Sequence, residues 1–115
     1  FLNRPSLHAG VDFRSTEGAA VRATAIGTVT EAGPTGGYGN MVEIDHGNGI
    51  TTRYAHLSSI SVKAGAKVET GDVVGYVGTT GRSTGPHLHY EVRVDGEAID
   101  PMRYIRAGGE LRGIL

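Results

Sequence analysis

Gly85-Pro86-His87-Leu88-His89-Tyr90-Glu91-Val92-Arg93-Val94 reads as a turn that opens into a strand. Side chains of an extended chain alternate faces, so His87 and His89 share one side while Leu88 takes the other. Tyr90-Glu91-Val92-Arg93-Val94 continues the alternation. Two neutral imidazoles converging on one spot suit a borderline cation such as zinc. A surface strand that happens to carry two histidines is the plainer alternative, and this stretch alone leaves both open.

Other segments read in the same extended way. Glycine supplies 19 of 115 residues, far above the usual roughly 7%. It is dispersed among short apolar runs, which is the pattern of turns in a β protein, not of a flexible linker. Strands are expected at Val21–Ala25, Gly27–Ala32, Asn40–Asp45, Ile50–His56, Val73–Val77 and His87–Val94, with a short one at Val68 and Glu69. Asn48-Gly49 predicts a tight hairpin between the third and fourth of these. Pro34-Thr35-Gly36-Gly37 and Glu69-Thr70-Gly71-Asp72 read as turns, and Gly78–Pro86 as a longer loop. Asp100–Ile105 invites a helical turn, with Pro101 near its first position. The chain is therefore expected to be mainly β, in antiparallel sheets.

Near the start, His8-Ala9-Gly10-Val11-Asp12 places two more donors on a common face if extended. Gly10 and the β-branched Val11 disfavour the helix that would also align them. With His89 this makes two imidazoles and one carboxylate, the set found in catalytic zinc sites that leave a fourth position to water. Asp12 alone would pass for a surface carboxylate. A further element, Arg53-Tyr54-Ala55-His56-Leu57-Ser58, ends a strand-like run at His56. His56 and His87 could supply imidazoles toward a water or a developing oxyanion rather than toward a metal. His46, inside Asp45-His46-Gly47-Asn48-Gly49, reads as a solvated hairpin histidine.

The combination HxxxD, YAHL and GPHLH, in this order, resembles the M23 family of zinc metallopeptidases, the lysostaphin- or LytM-type endopeptidases of bacterial peptidoglycan. Gly10, Phe13, Gly18, Val21, Ala23, Gly27, Gly37-Tyr38-Gly39-Asn40, Gly71-Asp72 and Thr80-Gly81-Arg82-Ser83-Thr84-Gly85 are similar as well, so the likeness runs over residues 4 to 104. It implies a compact split barrel or β-sandwich of the LytM type, with Gly-rich loops flanking an open groove. By the same resemblance His8, Asp12 and His89 match the Zn2+ ligands, and His56 and His87 match two histidines that flank the metal-bound water. Asn40 and Tyr54 are implied as groove residues that meet substrate; a strand-end cap and a core aromatic are the alternatives.

The implied activity is zinc-dependent hydrolysis of peptide cross-links or stem peptides of peptidoglycan, in the periplasm or outside the cell. The alternative within the same fold is a non-catalytic adaptor that binds cell-wall peptides or activates another hydrolase. Relatives of that kind usually lose ligands, and here all matched positions are filled. A mononuclear iron oxygenase also uses two histidines and a carboxylate, but its near pair is usually His-x-Asp and it gives His56 and His87 no task. An echo between Val21-Arg22-Ala23 with Gly27-Thr28-Val29 and Val62-Lys63-Ala64-Gly65 with Gly71-Asp72-Val73-Val74 resembles the lipoyl-carrier sandwich. Lys63 and Lys67 lack the Met-Lys or Asp-Lys setting of a carrier.

Composition excludes more than it selects. One domain over residues 1–115 is expected, with a tail at about 106–115. A net charge of -1 and a pI near 6.6 give no electrostatic case for nucleic acid or an anionic membrane. No cysteine is present, so thiolate ligation and disulfides are out. No apolar run reaches the roughly 20 residues of a membrane span. The start at Phe1, without Met, suggests a piece of a longer protein. An export segment and a regulatory N-terminal region or partner that limits access to the groove are expected upstream.

Overall fold

Short alternating runs, most of them closed by a turn that carries Gly, Asn or Asp, build nine antiparallel strands in the described part of the chain. The computed structural model describes residues 11–81 and 85–100. The strands are β1 (Val11–Arg14), β2 (Ala20–Arg22), β3 (Gly27–Pro34), β4 (Asn40–Gly47), β5 (Ile50–Ile60), β6 (Lys67–Val68), β7 (Val73–Val77), β8 (His87–Val94) and β9 (Glu97–Ile99). They run in the order β1-β8-β5-β4-β3-β6, with β9 against β8 and β2 against β7.

β5 organises the sheet. Its first half, Ile50–Ala55, pairs with β8, and its last residues, Leu57–Ile60, leave β8 and pair with β7. The change of neighbour falls at His56, where β5 carries one residue more than its partner β4: Asn40 faces Leu57 and Val42 faces Tyr54. That is a β-bulge, and His56 sits in it at φ 64, the left-handed region that side-chain-bearing residues seldom adopt. Bulges bend a strand and re-aim a side chain. Here the bulge leaves Tyr54, Ala55, His56 and Leu57 all buried in succession, where a regular strand would alternate.

Elsewhere apolar and polar side chains separate onto the two faces, although β8 also buries Tyr90, Glu91 and Val92 in succession. On the underside, Val29, Val42, Ile44, Tyr54, Tyr90 and Val92 join Val21, Ala23, Leu57, Val68, Val74 and Val77 in one apolar cluster. Burying a side chain such as Ile44 or Val92, both at 0% exposure, contributes about 1.5–3 kcal/mol each. The opposite face carries the polar set. Asp12 lies across from His89, His89 across from Ala55, and Arg53 across from Glu91. One strand thus presents a hydrocarbon core below and chemistry above.

Two hairpins follow turn chemistry directly. Asn48 and Gly49 both have positive φ, 54 and 79, as the predicted two-residue hairpin requires. Asp95 and Gly96 do the same at 53 and 85 and create β9, a strand the sequence reading did not anticipate although Asp-Gly is the matching signal. β3 runs on through Pro34, so the expected turn there tightens later, in a 3-10 turn at Gly36–Tyr38. The helical turn expected at Asp100–Ile105 falls, beyond Asp100, outside the described residues, as does the tail at 106–115.

Candidate active site

β1 and β8 are neighbours in register, so Asp12 and His89 face each other across one rung of the ladder. His89 Nδ1 is 2.7 Å from Asp12 Oδ1, and His87 Nε2 is 3.5 Å from the same oxygen. The other nitrogen of His89, Nε2, is 2.9 Å from Glu91 Oε2. His89 therefore lies between two carboxylates. Burial opposes its charge, but the hydrogen bonds and field of Glu91 and Asp12 outweigh it and raise the imidazole above its ordinary value. Burial likewise opposes the charge of Glu91, and His89, Tyr38 and Arg93 together hold that carboxyl below its usual range.

The other two histidines are held by backbone. His56 Nδ1 donates to the Thr80 carbonyl at 2.6 Å, and His87 Nδ1 donates to the Gly85 carbonyl at 2.9 Å. A carbonyl oxygen can only accept, so each Nδ1 carries its proton and, in the neutral ring, Nε2 carries the lone pair. The rings of His56 and His87 stand edge to face with centroids 5.0 Å apart, and His56 is 5.9 Å from His89. Burial lowers the pKa of His56; the Thr80 hydrogen bond opposes this, while the charges of His87 and His89 reinforce it. His56 is thereby kept neutral, with an acceptor nitrogen in a cluster of imidazoles.

Loop 78–81 reaches His56 because it is anchored on both sides. Thr80 Oγ1 donates to the Leu57 carbonyl at 2.7 Å and accepts from the Asn40 amide at 3.1 Å. Gly39 and Gly81 allow the loops to meet. A Cβ on Gly39 would lie 2.5 Å from Gly81 N, and one on Gly81 would lie 2.4 Å from Gly39 N. Both glycines have positive φ, 67 and 74. Only residues without a Cβ permit this contact.

The predicted site residues thus divide. Asp12, His56, His87 and His89 come together, whereas His8 lies outside the described residues. Asn40 is half-buried at the start of β4, and its side-chain amide donates to the Leu57 carbonyl at 3.0 Å. Tyr54 is placed differently from the groove position implied by resemblance. It is 1% exposed on the core side, packs on Tyr90 at 5.4 Å, and bonds through its hydroxyl to Thr24 and Thr52. It is a core aromatic. His46 is also not merely solvated: its nitrogens lie 2.8 Å from the Ile26 carbonyl and 2.7 Å from Thr52 Oγ1, tying the hairpin to the polar chain that continues through Tyr54, Thr24 and Tyr90. Glu91 and Tyr38 were not singled out from sequence. Glu91 lies two residues beyond His89, so the same period of two that paired the histidines places it beside them.

The donor chemistry fits zinc. Asp12 Oδ1 and His89 Nδ1 are a hard oxygen and a borderline nitrogen facing one another, and the far nitrogen of His89 already meets a carboxylate, as the outer nitrogen of a ligating histidine commonly does. Among the described residues, no group of three such side chains forms a complete metal cage. The third donor implied by the sequence is His8.

Comparison with known proteins places the chain in a class of enzymes. The sequence model described as Peptidase family M23 matches residues 6–101. The chain belongs to this peptidase family. It is 53% identical over 96 residues to a protein named DD-carboxypeptidase/endopeptidase Mpg from Neisseria meningitidis, a match covering 84% of this chain and 22% of that protein. It is 45% identical over 100 residues to the peptidoglycan DD-endopeptidase ShyA of Vibrio cholerae, covering 87% of this chain and 23% of the relative. Among solved structures, a zinc containing peptidase from Vibrio cholerae aligns with a TM-score of 0.80 at 39% identity, covering 88% of this chain and 33% of the other. The antiparallel β architecture expected from sequence is the one these peptidases share. The chain spans under a quarter of the length of these curated relatives.

Proposed function

We propose that this domain is a zinc-dependent endopeptidase that hydrolyses peptide cross-links or stem peptides of bacterial peptidoglycan in the cell envelope. The carrying observation is the pair of carbonyl-held imidazoles, His56 and His87, set beside the Asp12–His89 pair. His8, Asp12 and His89 would hold the zinc, which when bound supplies Lewis acidity toward water and the scissile carbonyl. The rest of the chemistry belongs to the protein. Either His56 or His87, through Nε2, accepts a proton as water oxygen adds to the carbonyl carbon. The same proton passes to the leaving amine as the C–N bond breaks. The second imidazole stabilises the developing oxyanion. The substrate reading is supported by relatives named DD-carboxypeptidase/endopeptidase and peptidoglycan DD-endopeptidase, and Asn40, whose backbone amide holds Thr80, is the groove residue retained from the sequence reading.

Purified domain incubated with defined muropeptides, with products identified by mass spectrometry, tests this reading. Cleavage of one defined bond, abolished by chelation and restored by zinc, is the expected result. Intact peptides in the presence of bound zinc would instead favour the adaptor. Restraint by a region outside this chain is tested by setting the domain against the full-length protein on purified peptidoglycan, where the isolated domain should be the more active.

A further inference from the structure

Glu91 is a fully buried carboxylate on the polar face of the sheet, with side-chain exposure of 0%. It is surrounded by partners. Oε2 meets His89 Nε2 at 2.9 Å, and Oε1 accepts from Arg93 Nε at 2.9 Å. Arg53 Nη1 stands 4.0 Å from Oε1. Arg53 is fixed in turn by Glu43 Oε2 at 2.8 Å and by the Tyr38 hydroxyl at 3.1 Å, and Arg93 Nη2 reaches the same hydroxyl at 3.3 Å. A carboxylate this buried is held in place by two guanidinium groups and a phenol, and the one imidazole it meets is His89.

We propose that Glu91 is the positioning residue of this site, fixing His89 with its proton on Nε2 and Nδ1 as the metal-facing nitrogen. The inference rests on the metal site proposed above. An imidazole that ligates through one nitrogen must carry its proton on the other, and an acceptor carboxylate there selects that tautomer and strengthens the ligand. Two carboxylates compete for the His89 proton, and their surroundings differ. The Asp12 side chain is 25% exposed, so water can replace a lost hydrogen bond, whereas Glu91 at 0% has no such recourse. Leaving a buried charged acceptor unpaired is the more costly arrangement. Nδ1 also lies within hydrogen-bond distance of Asp12, so of the two ring protons the one facing the more exposed Asp12 is given up to a cation, and the one facing buried Glu91 stays. Tyr38, Arg53 and Arg93 act one step further out by keeping Glu91 from turning away.

The test uses E91Q and E91D, with zinc affinity measured by competition against a chromophoric chelator. E91Q keeps an acceptor oxygen without the charge, and E91D keeps the charge but withdraws it from Nε2. Each is expected to bind zinc about 10–100-fold more weakly than wild type. Turnover should return toward the wild-type kcat at saturating zinc, which a merely structural defect would not allow. A second readout needs no variant: 15N NMR of the zinc-free wild type at alkaline pH, where imidazoles are neutral, should show His89 protonated on Nε2. Wild-type zinc affinity in both variants, or an Nδ1-protonated His89 in the wild type, would overturn the inference and leave the metal site standing. Absence of zinc uptake by the wild type would overturn both.

Discussion

The loop rim and the β1–β8 rung hold their histidines by opposite means. On the rim, Thr80 and Gly85 offer backbone carbonyls to His56 and His87. On the rung, Asp12 and Glu91 offer carboxylates to His89. A carbonyl fixes a ring and its tautomer without adding full negative charge, so burial dominates and His56 stays neutral. The hydrogen bonds and charges of Glu91 and Asp12 outweigh burial at His89 and raise its pKa above the ordinary value. The difference teaches that two imidazoles in one cluster, His56 and His89, are shifted in opposite directions when a carbonyl holds one and carboxylates hold the other.

The sharpest way to break this comparison is to exchange the loss of a ligand for the loss of a base. H89A should lose stoichiometric zinc, measured by metal analysis after gel filtration, and with it all detectable turnover, because two of three expected donors do not hold the ion. H56A and H87A should each retain one zinc per chain while turnover falls by about 10²–10⁴-fold. If H87A released the metal as fully as H89A, the division within the strand would be wrong.

A smaller effect separates site from core. Y54F deletes a hydroxyl bonded to Thr24 and Thr52, so urea unfolding should report a loss of about 1–2 kcal/mol. KM for a muropeptide should stay within about twofold of wild type, because a residue at 1% exposure does not meet substrate. A raised KM with unchanged stability would return Tyr54 to the groove.

The smallest expected effect lies in the pH profile. A depressed pKa leaves His56 in its base form to lower pH, so the acid limb of kcat/KM should fall below the ordinary histidine value of 6.5. The same shift means that the folded state takes up this proton less readily than the unfolded chain does. The contribution of neutral His56 to stability is therefore present above that ordinary value and lost as pH falls through the lowered one. An acid limb above 6.5 that disappears in H56A would contradict the direction of the shift.

Much of this was legible in the residues because strand alternation and turn chemistry are local. His87 and His89 share a face by period alone, and Asn48-Gly49 closes its hairpin as its backbone preferences dictate. What the sequence hid depends on partners far along the chain. The bulge that turns His56 arises because β5 holds one more residue than β4 across the ladder, a mismatch visible only once the strands are paired. Tyr54 could be placed either way, since a tyrosine is amphipathic and only the positions of Thr24 and Thr52 settle where its hydroxyl goes. His46 looked solvated because its partners come from elsewhere, Ile26 from the bend before β3 and Thr52 from β5. Glu91 was within reach of the period-two argument, but nothing local announces that Tyr38, Arg53 and Arg93 would bury it.

Because Gly39 and Gly81 leave no space for a Cβ between their loops, these two positions cannot be changed one at a time. A graft that places a side chain at Gly39 or Gly81 must also reshape the neighbouring loop, or Thr80 moves and carries with it the carbonyl that orients His56. Attempts to alter what this peptidase-family chain accepts should exchange both segments as a matched set, and libraries that vary position 39 or 81 alone should return mostly inactive clones.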